Sequence, residues 1–267
     1  MTIKIVFLIH LEVTLLLAIE RMRIITELVS QNMSVKVVDL VAQFGVSNET
    51  IRRDLELLER QGIVRRVYGG AVKAQSESVQ SYQERISHRI TEKEAIGKLA
   101  ADIVQDGDTI IIDVGTTALE FAKNLLTKNN LTVITPSLSA ALLLLNNSNA
   151  RVIVTGGELE REEPYLTGPI AKDAFRRYHA HRAFISVGGI SKERGLTDYN
   201  ELEVETRKVM LKSASQIIGL VDSSKMGVVA TSIISDIDTL DILVTDNGIS
   251  NEMKEFIEGF GVNLGIG

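Results

Sequence analysis

Apolar residues recur at helical spacing three times near the start of the chain. Met22, Ile25 and Val29 fall at i, i+3 and i+7; Val37, Leu40, Val41 and Phe44 make a second stripe; Ile51, Leu55 and Leu58 make a third. Ser34 reads as the start signal of the second helix and Gly45 as its stop, while Ser47 is placed to cap the third by accepting from its free N–H groups. The tight turn Gly45-Val46-Ser47 between two capped helices predicts a helix-turn-helix. Gly62 closes the third helix, and residues 63–72 read as a short hairpin turning at Tyr68-Gly69-Gly70.

Packing the third stripe inward sends Ser47, Asn48, Glu49, Thr50, Arg52 and Arg53 outward around the helix N-terminus. That is the end such helices insert into a major groove. The planar arginine fork donates in pairs to guanine edges and to phosphates. Arg65, Arg66 and Tyr68 stand on the hairpin, where a wing would meet the flanking backbone. A single arginine pair on a helix reads best as a solvated face. Two pairs on adjacent elements, separated by this turn chemistry, predict contact with double-stranded DNA.

A polar stretch, 74–89, lacks a clear stripe and reads as a linker. Beyond it the pattern changes. Apolar runs at 109–113, 131–135, 152–155, 183–187, 216–221 and 242–245 alternate with helical stretches at 93–104, 118–126, 138–145, 170–178, 201–213 and 251–258. Near-continuous apolar strands separated by helices predict a mostly parallel sheet with helices on both faces. The expected organisation is therefore a winged helix-turn-helix over 18–73, a linker over 74–89 and an α/β effector domain over 90–267.

Charge sharpens this division. The 267 residues carry a net charge of −6, which alone argues against a nucleic-acid binder. Residues 18–73, however, hold nine Lys/Arg and seven Asp/Glu, whereas 74–267 hold 19 and 27, so a +2 head sits on a −8 body. The chain has no cysteine, which excludes disulfides and thiolate metal sites. Residues 1–17 are apolar but are interrupted by His10 and Glu12, with no small-residue cleavage site, and are too short to span a bilayer. They read as a misassigned start or a dispensable extension, and the protein as cytoplasmic, with no membrane partner.

Ligands of such sheets sit outside the carboxyl ends of the strands. The most informative end is Asp113-Val114-Gly115-Thr116-Thr117. A glycine turn, two hydroxyls and a helix start together make an anion site, although a strand-turn-helix with a threonine cap explains the string equally well. Gly156 and Gly157 end another strand, and Lys225 follows a third within Asp222-Ser223-Ser224-Lys225. Asp198, Asn200 and Glu203 offer amides and carboxylates suited to sugar hydroxyls, or simply a solvated helix entrance. No GxxxxGK[ST] or strand-following GxGxxG is present, so a nucleotide is not expected. His179 and His181 lack a third ligand, so no metal is expected. The acidic run 158–163 reads as a solvated loop.

The run Val46-Ser47, Thr50-Ile51-Arg52-Arg53-Asp54-Leu55, Leu58-Glu59 and Gly62 to Ala71 resembles the DeoR family of bacterial transcriptional regulators, with Tyr68 where the family often has histidine. DVGTT, TGG, LTG, FISVGGIS, NELEVETR and DSSKMG follow in that family's order, and the likeness spans about 18–250. The resemblance implies a body folded like ribose-5-phosphate isomerase, a phosphorylated sugar or polyol as effector, no cofactor, and a homodimer or homotetramer on an operator. It places ligand contacts at Asp113, Gly115, Thr116, Thr117 and Lys225, then at Asp198, Asn200 and Glu203. The function implied is a repressor of a sugar-catabolic operon. The alternative is a sugar-phosphate isomerase, with Asp198, Glu201 or Glu203 as general base.

Overall fold

A computed structural model describes residues 18, 20–29, 34–60, 63–67, 69–73, 82–146, 149–160 and 163–267; residues 1–17 and Tyr68 lie outside the described residues. Contacts divide the chain into two units, Met1–Gln80 and Ser81–Gly267.

The first unit contains α1 (20–29), β1 (Ser34–Lys36), α2 (Val37–Phe44), α3 (Asn48–Arg60), β2 (Val64–Val67) and β3 (Gly70–Lys73). The three apolar stripes meet in one core, with Ile25, Val29, Leu40, Ile51, Leu55 and Leu58 all buried. Gly45 ends α2 in the left-handed conformation, φ 63°, with its N–H bonded to Val41 O at 2.9 Å. Ser34 does not cap α2. It opens β1, and Lys36 precedes the helix without a side-chain cap. The reason is that β1 pairs antiparallel with β3, so the wing is a three-stranded sheet of order β1-β3-β2 and not a lone hairpin. Asp54, inside the TIRRDL run, faces inward at 4% exposure and accepts from Arg21 Nε at 2.5 Å and Nη2 at 3.1 Å, tying α3 to α1.

The second unit opens with α4 (Tyr82–Ser87), where a linker was expected. Tyr82 is buried there and donates to Ser139 Oγ at 3.3 Å, so this stretch belongs to the body. Next come α5 (Ile90–Ile103), β4 (Thr109–Ile112), α6 (Thr116–Lys123), β5 (Thr132–Thr135), α7 (Leu138–Leu144), β6 (Arg151–Val154), β7 (Glu158–Leu159) and β8 (Leu166–Thr167). The chain continues through α8 (Gly168–Arg176), β9 (Ala180–Ile185), β10 (Gly189–Ser191), β11 (Gly195–Asp198) and α9 (Glu201–Met210). It finishes with β12 (Ala214–Leu220), β13 (Ser232–Ser235), β14 (Ile242–Thr245), α10 (Asn251–Glu258) and β15 (Asn263–Ile266).

Seven strands form one sheet in the order β15-β14-β12-β9-β4-β5-β6, with every pairing parallel. Alternation along the strands builds a core on each face. Ile110 and Ile112 pack with α5, α6 and α7, while Ile111 packs with residues of α8, α9 and α10. Gly97 lets α5 approach α6 closely, because a Cβ there would lie 2.7 Å from Glu120 and Phe121 backbone atoms. The chain runs outward from β4 through β5 to β6, then returns to lay β9 on the other side of β4. That reversal is the switch point of the sheet, and it opens a crevice at the carboxyl ends of β4 and β9. A smaller antiparallel sheet, β10-β11-β13, and the β7-β8 ribbon were not foreseen. Among the described residues no helix is long and apolar enough to cross a membrane.

Replacing Asp54 by Ala removes one partner of an inward-facing pair and leaves Arg21 unpaired. The head should lose about 3 kcal/mol of stability. Hydrogen exchange of the α1 and α3 amides should show this loss, with the body's amides unchanged.

Candidate functional site

In the head, Ser47 Oγ accepts from Thr50 N at 3.1 Å and lies 2.9 Å from Thr50 Oγ1, capping α3 as its sequence predicts. Asn48, Glu49, Arg52 and Arg53 are exposed beside that cap. Neither Arg52 nor Arg53 has an ion-pair partner among the described residues. Arg66 differs. Its Nε donates to Glu59 Oε2 at 2.7 Å, and its N–H donates to Glu59 Oε1 at 2.7 Å. The backbone bond first and the guanidinium second hold the Glu59 carboxyl below its ordinary range. Arg66 thus fastens the wing to α3, and reaching DNA would cost it this partner. The side chain of Arg65 lies outside the described residues, as does Tyr68.

In the body, the switch-point crevice is organised by a residue that sequence reasoning missed. Arg207 on α9 is 2% exposed. Its Nε donates to Asp113 Oδ2 at 2.5 Å, Nη1 to Asp198 Oδ2 at 2.6 Å, and Nη2 to Glu203 Oε2 at 2.8 Å. One guanidinium therefore gathers three of the predicted site residues. Asp113, 1% exposed, also accepts from Val114 N at 2.7 Å and Ser186 N at 3.0 Å, which joins the ends of β4 and β9. Both its oxygens are engaged, so its carboxylate orients the crevice. Asn200 caps α9 by accepting from Leu202 N at 3.0 Å, and its Nδ2 donates to Glu203 Oε1 at 3.2 Å and Tyr165 Oη at 3.0 Å.

Three carboxylates around one cation leave excess negative charge in a place with little water. Burial raises the Glu203 carboxyl, opposed by Arg207 and reinforced by Asp198 and Asp113. Burial likewise raises Asp113 against the pull of Arg207 and the two amide donors. Burial, then Glu203, pushes the Tyr165 hydroxyl up, so it remains a neutral donor and acceptor.

Gly115, at φ 113°, precedes α6 without a side-chain cap, and Thr116 and Thr117 start that helix. Among the described residues no group bonds either threonine hydroxyl. The Gly115 N–H donates to Glu163 Oε1 at 2.8 Å. Glu163, expected in a solvated loop, is in fact buried, because it bridges this amide and Arg85. Gly156 and Gly157, at φ 73° and 121°, follow β6, two strands to one side of β4. Lys225 lies in the turn Ser223–Lys225 after β12, two strands to the other side. The predicted residues thus divide into a bonded centre (Asp113, Gly115, Asp198, Asn200, Glu203) and flanks at neighbouring strand ends. His179 bonds Ser215 at 2.9 Å, and His181 Nδ1 accepts from Thr109 N at 3.0 Å. Among the described residues no cluster is arranged to hold a metal.

A winged helix-turn-helix joined to an α/β domain with a polar crevice at its switch point defines a DNA-binding regulator with a sensing body. Residues 21–77 match the DeoR-like helix-turn-helix domain, and residues 88–247 match the DeoR C terminal sensor domain. The HTH-type transcriptional regulator GolR of Listeria innocua is 38% identical over 248 residues, covering 92% of this chain and 98% of that protein. The HTH-type transcriptional repressor GlcR of Bacillus subtilis is 33% identical, covering 92% and 95%. The glycerol-3-phosphate regulon repressor of Escherichia coli is 32% identical, covering 83% and 88%. The chain belongs to the DeoR family of transcriptional regulators. Its relatives are named regulators and not enzymes, which removes the isomerase alternative. Ribose 5-phosphate isomerase A of Methanocaldococcus jannaschii is similar over 50% of this chain and 53% of its own, at 19% identity and a TM-score of 0.37, a likeness too low to carry an argument about chemistry.

Replacing Arg207 by Met leaves three buried carboxylates facing one another, at a cost of about 3–5 kcal/mol near neutral pH. Asp113 and Glu203 have raised folded values, so between their ordinary and raised values the folded state binds more protons than the unfolded one. Stability from these groups therefore falls as pH rises, and more steeply once Arg207 is gone. Urea unfolding should show a larger gap between native protein and variant at about pH 8 than at about pH 5.

Proposed function

We propose that the chain is a repressor of a sugar- or polyol-catabolic operon, released when a phosphorylated sugar enters the switch-point crevice. The observation that carries the DNA-binding half is the exposed Arg52–Arg53 pair, without an ion-pair partner among the described residues, beside the Ser47-capped start of α3. In this reading α3 enters a major groove, with Asn48, Thr50, Arg52 and Arg53 nearest the base edges and the wing against the backbone. A homodimer or homotetramer would meet half-sites about 10–10.5 bp apart, or a multiple of that spacing.

The sensing half is supported by the uncapped start of α6 at the switch point. The first N–H groups of a helix lack intrahelical partners, and its positive end favours a phosphoryl group there. Thr116 and Thr117 add hydroxyl donors, and Asn200, Glu203 and Tyr165 offer polar groups for a sugar. The relative named for a glycerol-3-phosphate regulon is consistent with a small phosphorylated effector. A coupling of roughly 1–3 kcal/mol between crevice and head would change DNA affinity about 5- to 150-fold.

The test is anisotropy of labelled DNA from the promoter beside the protein's own gene. Replacing Arg52 or Arg53 by Ala should weaken specific binding by about 1–3 kcal/mol where the arginine reads a base. Where it meets a phosphate, the replacement should lower the salt slope by about 1. Arg66→Ala should weaken binding less than either and should lower head stability. Binding by both Arg52 and Arg53 variants equal to that of the unaltered protein would remove α3 as the reading helix.

A further inference from the structure

Glu163 is a carboxylate buried to 6% exposure, with an oxygen committed to each of two elements. Oε1 accepts from the Gly115 N–H at 2.8 Å, immediately before α6, and Oε2 accepts from Arg85 Nη2 at 2.6 Å on α4. The first N–H groups of a helix lack intrahelical partners and attract negative charge. Gly115 provides no side-chain cap for them. The chain thus places one of its own anions at the loop where the proposed function puts a phosphoryl group.

The other end of the bridge is as informative. α4 is the first helix after residues 74–81, which join the winged helix to the body. Polar bonds contribute to its hold on the body. Arg85 pairs with Glu163, and Tyr82 donates to Ser139 Oγ at 3.3 Å. Lys93 Nζ donates to the Arg85 carbonyl, and to the His88 carbonyl at 2.7 Å. The Arg85 guanidinium lies 5.9 Å from the Tyr82 ring centroid, so a shift of Arg85 also disturbs the second anchor. Two anions cannot share one backbone N–H. A phosphoryl group bonded there repels Glu163 and takes its donor, and Arg85 is then left without its carboxylate.

We propose that Glu163 is a tethered anion that occupies the Gly115 amide in the ligand-free protein. An incoming phosphoryl group displaces it, which breaks the Glu163–Arg85 pair and loosens α4. This inference rests on the DVGTT loop being the phosphate site, and it supplies the event by which occupancy of that site is felt at α4, the first helix after the head in the chain. A carboxylate that merely anchored its loop would not compete with a ligand.

The experiment uses the full chain in phosphate-free buffer, with inorganic phosphate as probe, read by calorimetry and by hydrogen exchange across 82–89. In the unaltered protein, phosphate should raise exchange of the α4 amides. Glu163→Gln keeps an acceptor but loses the charge, so it should bind phosphate about tenfold tighter and show the faster α4 exchange without phosphate. Glu163→Asp, which keeps the charge on a shorter arm, should fall between the two. The phosphate-dependent exchange of the unaltered protein needs no variant, so misfolding of either variant leaves the proposal falsifiable. Equal phosphate affinity in all three proteins, or α4 exchange that phosphate slows, overturns the tethered anion and leaves the phosphate site standing. Failure of every protein to bind phosphate overturns both.

Discussion

Arg207 and its three carboxylates are the constraint on which the rest of the body depends. A guanidinium taken out of water needs partners on every face, and α9 can bring it to the sheet only because Asp113, Asp198 and Glu203 are already aimed there. In return it fixes where four elements meet: the end of β4 through Asp113, the end of β9 through Ser186 bonded to Asp113, β11 through Asp198, and α9 itself. The crevice is the space these elements leave at the switch point. Its floor is an overloaded ion cluster, and its rim is the start of α6, where Glu163 holds the Gly115 amide.

The head uses the same device on a smaller scale. In the run Thr50-Ile51-Arg52-Arg53-Asp54-Leu55, Asp54 turns inward to Arg21 and Ile51 and Leu55 turn inward to the core. The two arginines between them face outward, and among the described residues neither has an ion-pair partner. Arg66, by contrast, is tied to Glu59 and sets the wing against α3. Neighbouring charges in one motif therefore divide between building the domain and facing out of it, and only the second group is available to DNA. The net charge of −6 says nothing of this division, whereas the +2 head does.

What was legible in the sequence was local. Three apolar stripes, the Gly45 turn and the Ser47 cap specified the helix-turn-helix, and alternating apolar runs specified a parallel sheet. α10 and β14 have the expected limits because each is bounded by its own signals, a Ser250 cap for one and a continuous apolar run for the other. What was not legible depends on distant partners. Ser34 looks like a cap but pairs with Val72 in the wing. β15 is short and contains Gly265, and only the waiting edge of β14 makes it a strand. Arg207 lies 94 residues from Asp113, and nothing in the helical stretch 201–213 marks the partner it finds there. Glu163 sat in an acidic run that opens with the exposed Glu158, and nothing nearby in the sequence marks Glu163 as buried.

The central claim is that occupancy of the switch-point crevice by a phosphorylated sugar controls the hold of the head on DNA. The most direct measurement titrates the complex of protein and promoter DNA with matched pairs of sugars and their phosphate esters, at two salt concentrations. The account predicts salt-sensitive, specific binding that one phosphate ester weakens at both salts and its unphosphorylated parent does not. Release by the parent sugar alone, or binding that no ester changes, would contradict it.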